Sequence, residues 1–292
     1  MNVNINDRLI AGFWRTSLWG KSSKELNYFI NQLIECGITT FDHAYVYRSE
    51  AAFGEAMALS ESLRDQAKII TKCGIRGVGP GSLDAKNTSH YDSDKLTIIK
   101  SVDNSLKDLK TDYVDTLLLH RPDYLMNVQE VNEAFNELKR SGKVRDFGVS
   151  NFNVTQFNLL QSALDVKLCT NQIEFSPFNT EALDNGLFDQ CYQNQVSPMI
   201  WSCLGGGKLF DESHPVTSRL TKLLNEIAEE IGAVSISQVV YAWVFKMPCQ
   251  PRIITGSSKI ENISPLVDSI HLTLSKEQWY QIWAAAVGHD VA

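Results

Sequence analysis

The segment FDHAYVYRSE, Phe41 to Glu50, sets an aspartate, Asp42, five residues ahead of a tyrosine, Tyr47. Further on, Lys72 stands in TKCG and His120 closes the run LLLHRPD. A phenol, an ammonium, a carboxylate and an imidazole together make a physically sensible acid. A free phenol titrates near ~10 and holds its proton too tightly to release it readily at neutral pH. A lysine cation about 4 Å away would favour phenolate by about 4 kcal/mol at an effective dielectric near 20, roughly three pH units before desolvation takes some back. In that arrangement Lys72 supplies the field and Asp42 keeps Lys72 charged and aimed. Neutral His120 would hydrogen-bond a substrate oxygen and fix its approach to Tyr47. Taken singly, each residue also has a bland reading: Asp42 a cap, Lys72 a rim charge, His120 a satisfied core histidine.

The elements that must carry these residues tip the balance. Eight short apolar runs read as strands: LIAGFW from Leu9, ITTFDHA from Ile38, KIITKCG from Lys68, YVDTLLLH from Tyr113, VRDFGVSN from Val144, KLCTNQIE from Lys167, SPMIWSC from Ser197 and PRIITG from Pro251. Most are nearly continuously apolar, as strands buried on both faces are. Helical periodicity fills the gaps. Ser22 with Glu25, and Ser275 with Gln278, form capping boxes, and Asn127 to Glu130 opens another helix. In SDKLTIIKSVDNSLKDLK the apolar stripe reads as Leu96, Ile99, Val102, Leu106 and Leu109. Strict alternation of strand and helix implies parallel strands with right-handed crossovers, and eight units favour a closed (β/α)8 TIM barrel, one α/β domain over residues 1–292. Chemistry on that fold gathers at the C-terminal ends of the strands, where Asp42, Lys72 and His120 fall.

The ends of the later strands offer a second set of groups. WSCLGGGK and TGSSK follow strands seven and eight, where barrels commonly bind phosphate, and their small residues free backbone N–H groups for oxyanions. Trp201 could stack on a flat ring, while Ser150, Asn151 and Gln172 present hydroxyl and amide hydrogen bonders. A planar ring with an amide, joined to phosphates, describes a nicotinamide dinucleotide. The long connection from Gly74 to Asp94 has four glycines that match neither G-x-G-x-x-G nor the P-loop, and reads as a flexible substrate rim.

By these motifs the chain resembles the aldo-keto reductase family from about Leu9 onward, and within it a bacterial subgroup of oxidoreductases. FDHAYVYRSE, TKCG and LLLHRPD match the family's tetrad of Asp42, Tyr47, Lys72 and His120, and GVSNF, NQIEFSP and GSSK match further signatures. The resemblance implies reduction of an aldehyde or ketone to an alcohol by hydride from NADPH, preferred over NADH. Tyr47 would be the proton donor, Lys72 would lower its pKa, Asp42 would support Lys72, and His120 would position the carbonyl. It also implies that Ser150, Asn151 and Gln172 hold the nicotinamide carboxamide, with Trp201 stacked where many members have tyrosine. Ser202, Cys203, Leu204, Gly206 and Lys208, with Gly256, Ser257, Ser258 and Lys259, would wrap the pyrophosphate and the adenosine phosphate. Trp14, Arg48, Tyr91 and Tyr124 are candidate substrate contacts.

Three departures from the pattern matter. Asn262 stands where the family often carries an arginine for the 2′-phosphate, and Pro265 and Leu266 replace residues that grip adenine. Only about eight residues precede the first strand, too few for a full hairpin plug across the barrel bottom.

Charge and composition narrow the function classes. A net charge of −7 and the lack of any basic run argue against nucleic acid, and no apolar stretch is long enough to span a membrane. The expected setting is the cytoplasm, with a small carbonyl compound as partner and the oligomeric state open. Six cysteines without C-x-x-C spacing read as reduced and mostly buried, and no metal site is expected. Two other classes fit the same barrel. One is a nicotinamide-sensing or scaffold protein, against which the intact tetrad argues. The other is an isomerase or lyase acting on a phosphorylated substrate.

Overall fold

Eight strands pair in parallel, each roughly where an apolar run predicts it. They are β1 Leu9–Gly12, β2 Thr40–Asp42, β3 Lys68–Cys73, β4 Val114–Leu119, β5 Val144–Ser150, β6 Leu168–Glu174, β7 Met199–Trp201 and β8 Arg252–Thr255. They close a barrel in the order β1, β8, β7, β6, β5, β4, β3, β2, as alternating strands and crossovers require. The computed structural model describes residues 7–60, 62–77 and 88–292. Residues 78–87 of the 74–94 rim, and residues 1–6 of the N-terminal segment read as too short for a full hairpin plug, lie outside the described residues. Among the described residues no helix is long and apolar enough to cross a membrane. Two compact units divide the chain, Ala11–Gln172 and Met1–Ile10 with Ile173–Ala292.

In the Ala11–Gln172 unit, register decides which side chains meet. Asp42 lies opposite Ile70, Lys72 opposite Leu118, Leu118 opposite Gly148, and Ser150 opposite Gln172. Partners across a ladder share a face, and residues two apart on a strand do too. Asp42, Lys72, His120, Ser150 and Gln172 are therefore all sent to one side. The ladder continues past β4, because the His120 amide donates to the Cys73 carbonyl at 2.9 Å. Thr71 must point the other way, and it does: its hydroxyl meets Glu50 in the helix layer at 2.5 Å.

The capping boxes predicted at Ser22–Glu25 and Ser275–Gln278 both form, and Asn127 caps Val128–Arg140 through the Gln129 amide. One predicted helix face is rotated. Helix Lys95–Leu109 buries Ile98, Ser101, Val102, Ser105, Leu106 and Leu109, while Leu96 is 80% exposed and Ile99 only half-buried. The reason is close helix packing. Small Ser101 and Ser105 face inward, Ser105 reaches Glu50 at 3.1 Å, and helix Glu50–Met57 comes close enough for Gly54 to touch backbone. Phe13, Phe41, Phe53 and His43 form an aromatic cluster behind β2, with ring centroids 4.3 to 6.0 Å apart.

In the Ile173–Ala292 unit, Trp243 is stacked between Phe175 at 4.7 Å and Trp279 at 5.2 Å. Each of the two indoles donates to the other's backbone carbonyl, at 3.0 and 3.1 Å, so neither buries an unpaired N–H. Four of the six cysteines are buried, which agrees with their reading as small apolar side chains.

The Gly54 contact gives a direct test of helix packing. A Cβ there would lie 2.2 Å from the Asp108 carbonyl oxygen and 2.9 Å from the Leu109 Cα. Gly54→Ala should therefore lower stability by about 1–3 kcal/mol, although alanine is the better helix former. Urea unfolding measures it; an unchanged or raised midpoint would mean that the two helices stand further apart.

Candidate active site

The centre of the site is a buried ion pair. Lys72 is 1% exposed, and its ammonium donates to both Asp42 oxygens at 2.8 and 2.7 Å and to the His43 carbonyl at 2.7 Å. Gln172 Nε2 adds a 2.9 Å bond to Asp42 Oδ1, so the carboxylate has partners on two sides. Burial works against the Lys72 charge. The fields of Asp42 and then Tyr47, with hydrogen bonds to both, outweigh it and leave the lysine pKa above its ordinary value. The cation is therefore firmly held, as an electrostatic device requires.

Tyr47 sits on the short turn Tyr45–Tyr47 that follows β2, with Lys72 Nζ 4.8 Å from its ring centre. Burial raises the phenol pKa, and the fields of Lys72 and Arg121 and a hydrogen bond to Lys72 pull it down while Asp42 pushes it up. Lys72 acts in the direction expected from sequence, yet burial is larger and the net value is raised. The phenol thus holds its proton at neutral pH. Its hydroxyl lies 3.3 Å from His120 Nε2, with the rings edge to face at 5.4 Å. Burial, and then the fields of Lys72 and Arg121, hold His120 well below its ordinary pKa. The imidazole is neutral, and its tautomer decides whether Nε2 accepts from Tyr47 or is free to donate.

The amide and hydroxyl residues named from sequence form a truss behind this centre. Asn151 Nδ2 donates to the His120 carbonyl at 3.4 Å and to Ser150 Oγ at 2.8 Å, and Ser150 Oγ donates to the Gln172 carbonyl at 3.1 Å. Asn151 adopts a left-handed φ of 60°, which turns its side chain at the strand end. Its Oδ1 accepts no hydrogen bond among the described residues, leaving an acceptor that suits a carboxamide N–H.

Trp14 is 60% exposed with its ring 6.4 Å from that of Tyr47, and Arg48 is exposed at a left-handed φ of 55° directly after Tyr47. Tyr91 and Tyr124 meet edge to face at 6.2 Å. Three residues escaped the sequence reading. His43 lends its carbonyl to Lys72, buried Glu50 joins Thr71 to Ser105, and Arg121 puts a charge within reach of both Tyr47 and His120. Only HRP, with its arginine directly after the histidine, carried a visible signal.

The Ile173–Ala292 unit holds the glycine-rich segments. After Trp201 the chain turns through Ser202 at φ 56°, then Gly205, Gly206 and Gly207 at 63°, 67° and 108°. Such left-handed residues bare N–H groups toward one side, and nothing lies within 4 Å of where a Cβ would stand on Gly206, Gly207 or Gly256. Cys203 is buried with its thiol toward the Ile200 carbonyl, so it can offer a ligand only its backbone. Leu204 is half-buried and Lys208 exposed. In the second segment Ser257 Oγ accepts from the Lys259 amide at 3.2 Å and from Asn262 Nδ2 at 3.4 Å, while Ser258 is half-buried and Lys259 exposed. Open backbone, hydroxyls and two lysines are a donor set that suits phosphates.

A family model described as the Aldo/keto reductase family matches residues 8–286. Oxidoreductase YdhF of Escherichia coli is 46% identical over 287 residues, covering 97% of this chain and 95% of that one. A 6-dehydroglucose reductase of Agrobacterium fabrum is 37% identical over 290 residues, covering 98% and 96%. The solved glycerol dehydrogenase of Gluconobacter oxydans superposes with a TM-score of 0.81 at 22% identity, over 98% of this chain and 94% of that one, which speaks for the fold alone. Both the family and the bacterial subgroup read from the motifs are found again in these matches.

His43 makes the site sensitive to acid. Burial, and secondarily Lys72, push its pKa down to about 3. The unfolded chain binds that proton near ~6.5, so the contribution is complete above that pH and is lost as pH falls toward the folded value. His120 shifts in the same direction. Between pH ~6 and ~5 the His43 contribution should fall by about 1.4 kcal/mol per pH unit. His43→Phe should remove one such contribution, read as a shallower fall of the urea midpoint with pH. An unchanged slope would mean that His43 titrates normally.

Proposed function

The chain belongs to the aldo/keto reductase family, and from that premise we propose that it reduces an aldehyde or ketone to an alcohol with NADPH, Tyr47 being the proton donor. The observation that carries this reading is the fully buried Lys72–Asp42 pair beside a protonated phenol within 3.3 Å of a neutral histidine. A reductase needs such an acid, because negative charge develops on the carbonyl oxygen as the carbon is reduced. The reduced nicotinamide supplies the hydride. Tyr47 gives its proton to that oxygen, and Lys72, fixed by Asp42, stabilises the phenolate left behind. His120, as a neutral N–H donor, aims the carbonyl oxygen at the phenol.

The remaining groups fit the cofactor by chemistry. Asn151 with its unengaged Oδ1, together with Ser150 and Gln172, would hold the carboxamide. Trp201 would stack on the ring, and 202–208 and 256–259 would take the phosphates through backbone N–H groups, hydroxyls, Lys208 and Lys259. The reading also takes the chain as one domain, because a single family model matches residues 8–286.

Tyr47→Phe keeps the ring and removes the proton. It should lose nearly all carbonyl reduction while binding NADPH close to normally, as measured by fluorescence titration and steady-state kinetics. Retention of more than about a tenth of wild-type kcat would exclude Tyr47 as the general acid.

Cofactor choice rests on the 256–262 loop. Asn262 is exposed and its side-chain amide donates to Ser257, so the 2′-phosphate lacks the bidentate arginine usual in the family. Charge-assisted bonds of that kind contribute about 1.5–3 kcal/mol, so NADPH preference should be weaker than the family norm. Ser257, Ser258 and Lys259 still favour NADPH. Asn262→Arg should tighten NADPH by roughly tenfold or more and leave NADH nearly unchanged. Equal gains for both cofactors would place the 2′-phosphate elsewhere.

A further inference from the structure

Three arginines belong to the segments that carry the acid or border it in the Ala11–Gln172 unit. Arg121 follows His120 in sequence, Arg48 follows Tyr47, and the Arg15 guanidinium lies 4.9 Å over the ring of Trp14, itself 6.4 Å from the Tyr47 ring. All three are exposed, in a chain whose net charge is −7. Among the described residues none of them pairs with a carboxylate, whereas Arg64 and Arg145 on the same unit share Asp115. The nearby carboxylates are already engaged. Asp42 holds Lys72 and Gln172, Glu50 holds Thr71 and Ser105, Asp92 holds Thr97, and Asp123 holds Ser93.

Arg121 differs from an ordinary surface arginine because its backbone is clamped on both sides. Upstream, the His120 amide donates to Cys73 and the His120 carbonyl accepts from Asn151. Downstream, Pro122 restricts Arg121 to extended backbone, and Asp123 accepts from the Ser93 amide at 3.0 Å, the Ser93 hydroxyl at 2.9 Å and the Leu125 amide at 2.9 Å. The charge of Arg121 is felt at both Tyr47 and His120. A guanidinium is a planar fork of five donors that matches a carboxylate or phosphate two bonds at a time. Here the backbone that carries the fork is fixed directly after His120, and the exposed guanidinium has no protein acceptor among the described residues.

We propose that the carbonyl substrate carries an oxyanion, a carboxylate or a phosphate, and that Arg121 is the residue that selects it, with Arg48 and Arg15 adding positive field at the rim. The inference rests on the reductase reading and names the substrate class for that site. The fork fixes the charged end of the substrate while its carbonyl oxygen lies between Tyr47 and His120.

The test compares kcat/KM for matched pairs with NADPH: 4-carboxybenzaldehyde against its methyl ester, and glyceraldehyde 3-phosphate against glyceraldehyde. Wild type should favour the charged member of at least one pair by about tenfold or more, an advantage that shrinks at high salt. The favoured pair identifies carboxylate or phosphate as the anion. Arg121→Gln should bring that ratio close to one, chiefly through KM, and Arg121→Lys should restore part of it. Replacing Arg121 also alters the field at Tyr47, but that change acts on both members of a pair and cancels in the ratio. No charged advantage in either pair, a ratio unchanged in Arg121→Gln, or an equal loss on glyceraldehyde would overturn the assignment. If the neutral aldehydes are reduced and the charged ones gain nothing, the reductase reading stands and only the Arg121 inference falls. If wild type reduces none of the four, both fall together.

Discussion

An ammonium with 1% exposure, Lys72, can exist in this chain only because Asp42 meets it with both oxygens. Taking either charge out of water alone would cost several kcal/mol, and removing one partner of such a pair typically costs about 3–5 kcal/mol. Everything around the pair serves to keep the two groups together. Parallel register sends them to one face, Gln172 and the His43 carbonyl saturate their remaining bonds, and Tyr47 closes over the lysine. The pair contributes little net stability. Its value is a fixed positive charge under a phenol, in a place where water does not screen it.

Burial, reinforced by that fixed charge, keeps the two histidines that flank it in neutral form. His43 and His120 are both buried within reach of Lys72, which opposes a second cation. A neutral imidazole at His120 can donate to a carbonyl oxygen without competing with Tyr47 for the proton. The outer face of the same strand is secured separately. Thr71, one residue before Lys72, is tied through Glu50 to Ser105, so strand β3 is fastened to two helices just behind the lysine. Burial raises the Glu50 pKa, and the hydroxyls of Thr71 and Ser105 offset part of that cost.

The distribution of charge is uneven in a way the net value hides. The chain is acidic overall, yet the residues next to Tyr47 and His120 are arginines, and the segments after β7 and β8 end in lysines. Clustered positive groups create local potentials that a negative net charge conceals, and such potentials favour small anions.

Sequence alone determined the frame. Eight apolar runs became eight parallel strands, the serine-led boxes capped their helices, and Asp42, Lys72 and His120 fell at strand ends, because each of these signals is local and repeats with the period of its element. What it left undecided depended on distant segments. The buried stripe of helix Lys95–Leu109 turned toward Ser101 and Ser105 because Gly54 and Glu50 approach it from another helix, and an apolar tally cannot register a favourable contact through small polar residues. The sign of the Tyr47 shift was likewise undecidable from spacing. The field of Lys72 could be anticipated from one pair of residues, but the desolvation that outweighs it is the sum of everything packed around the phenol, and burial is a property that only the tertiary structure possesses.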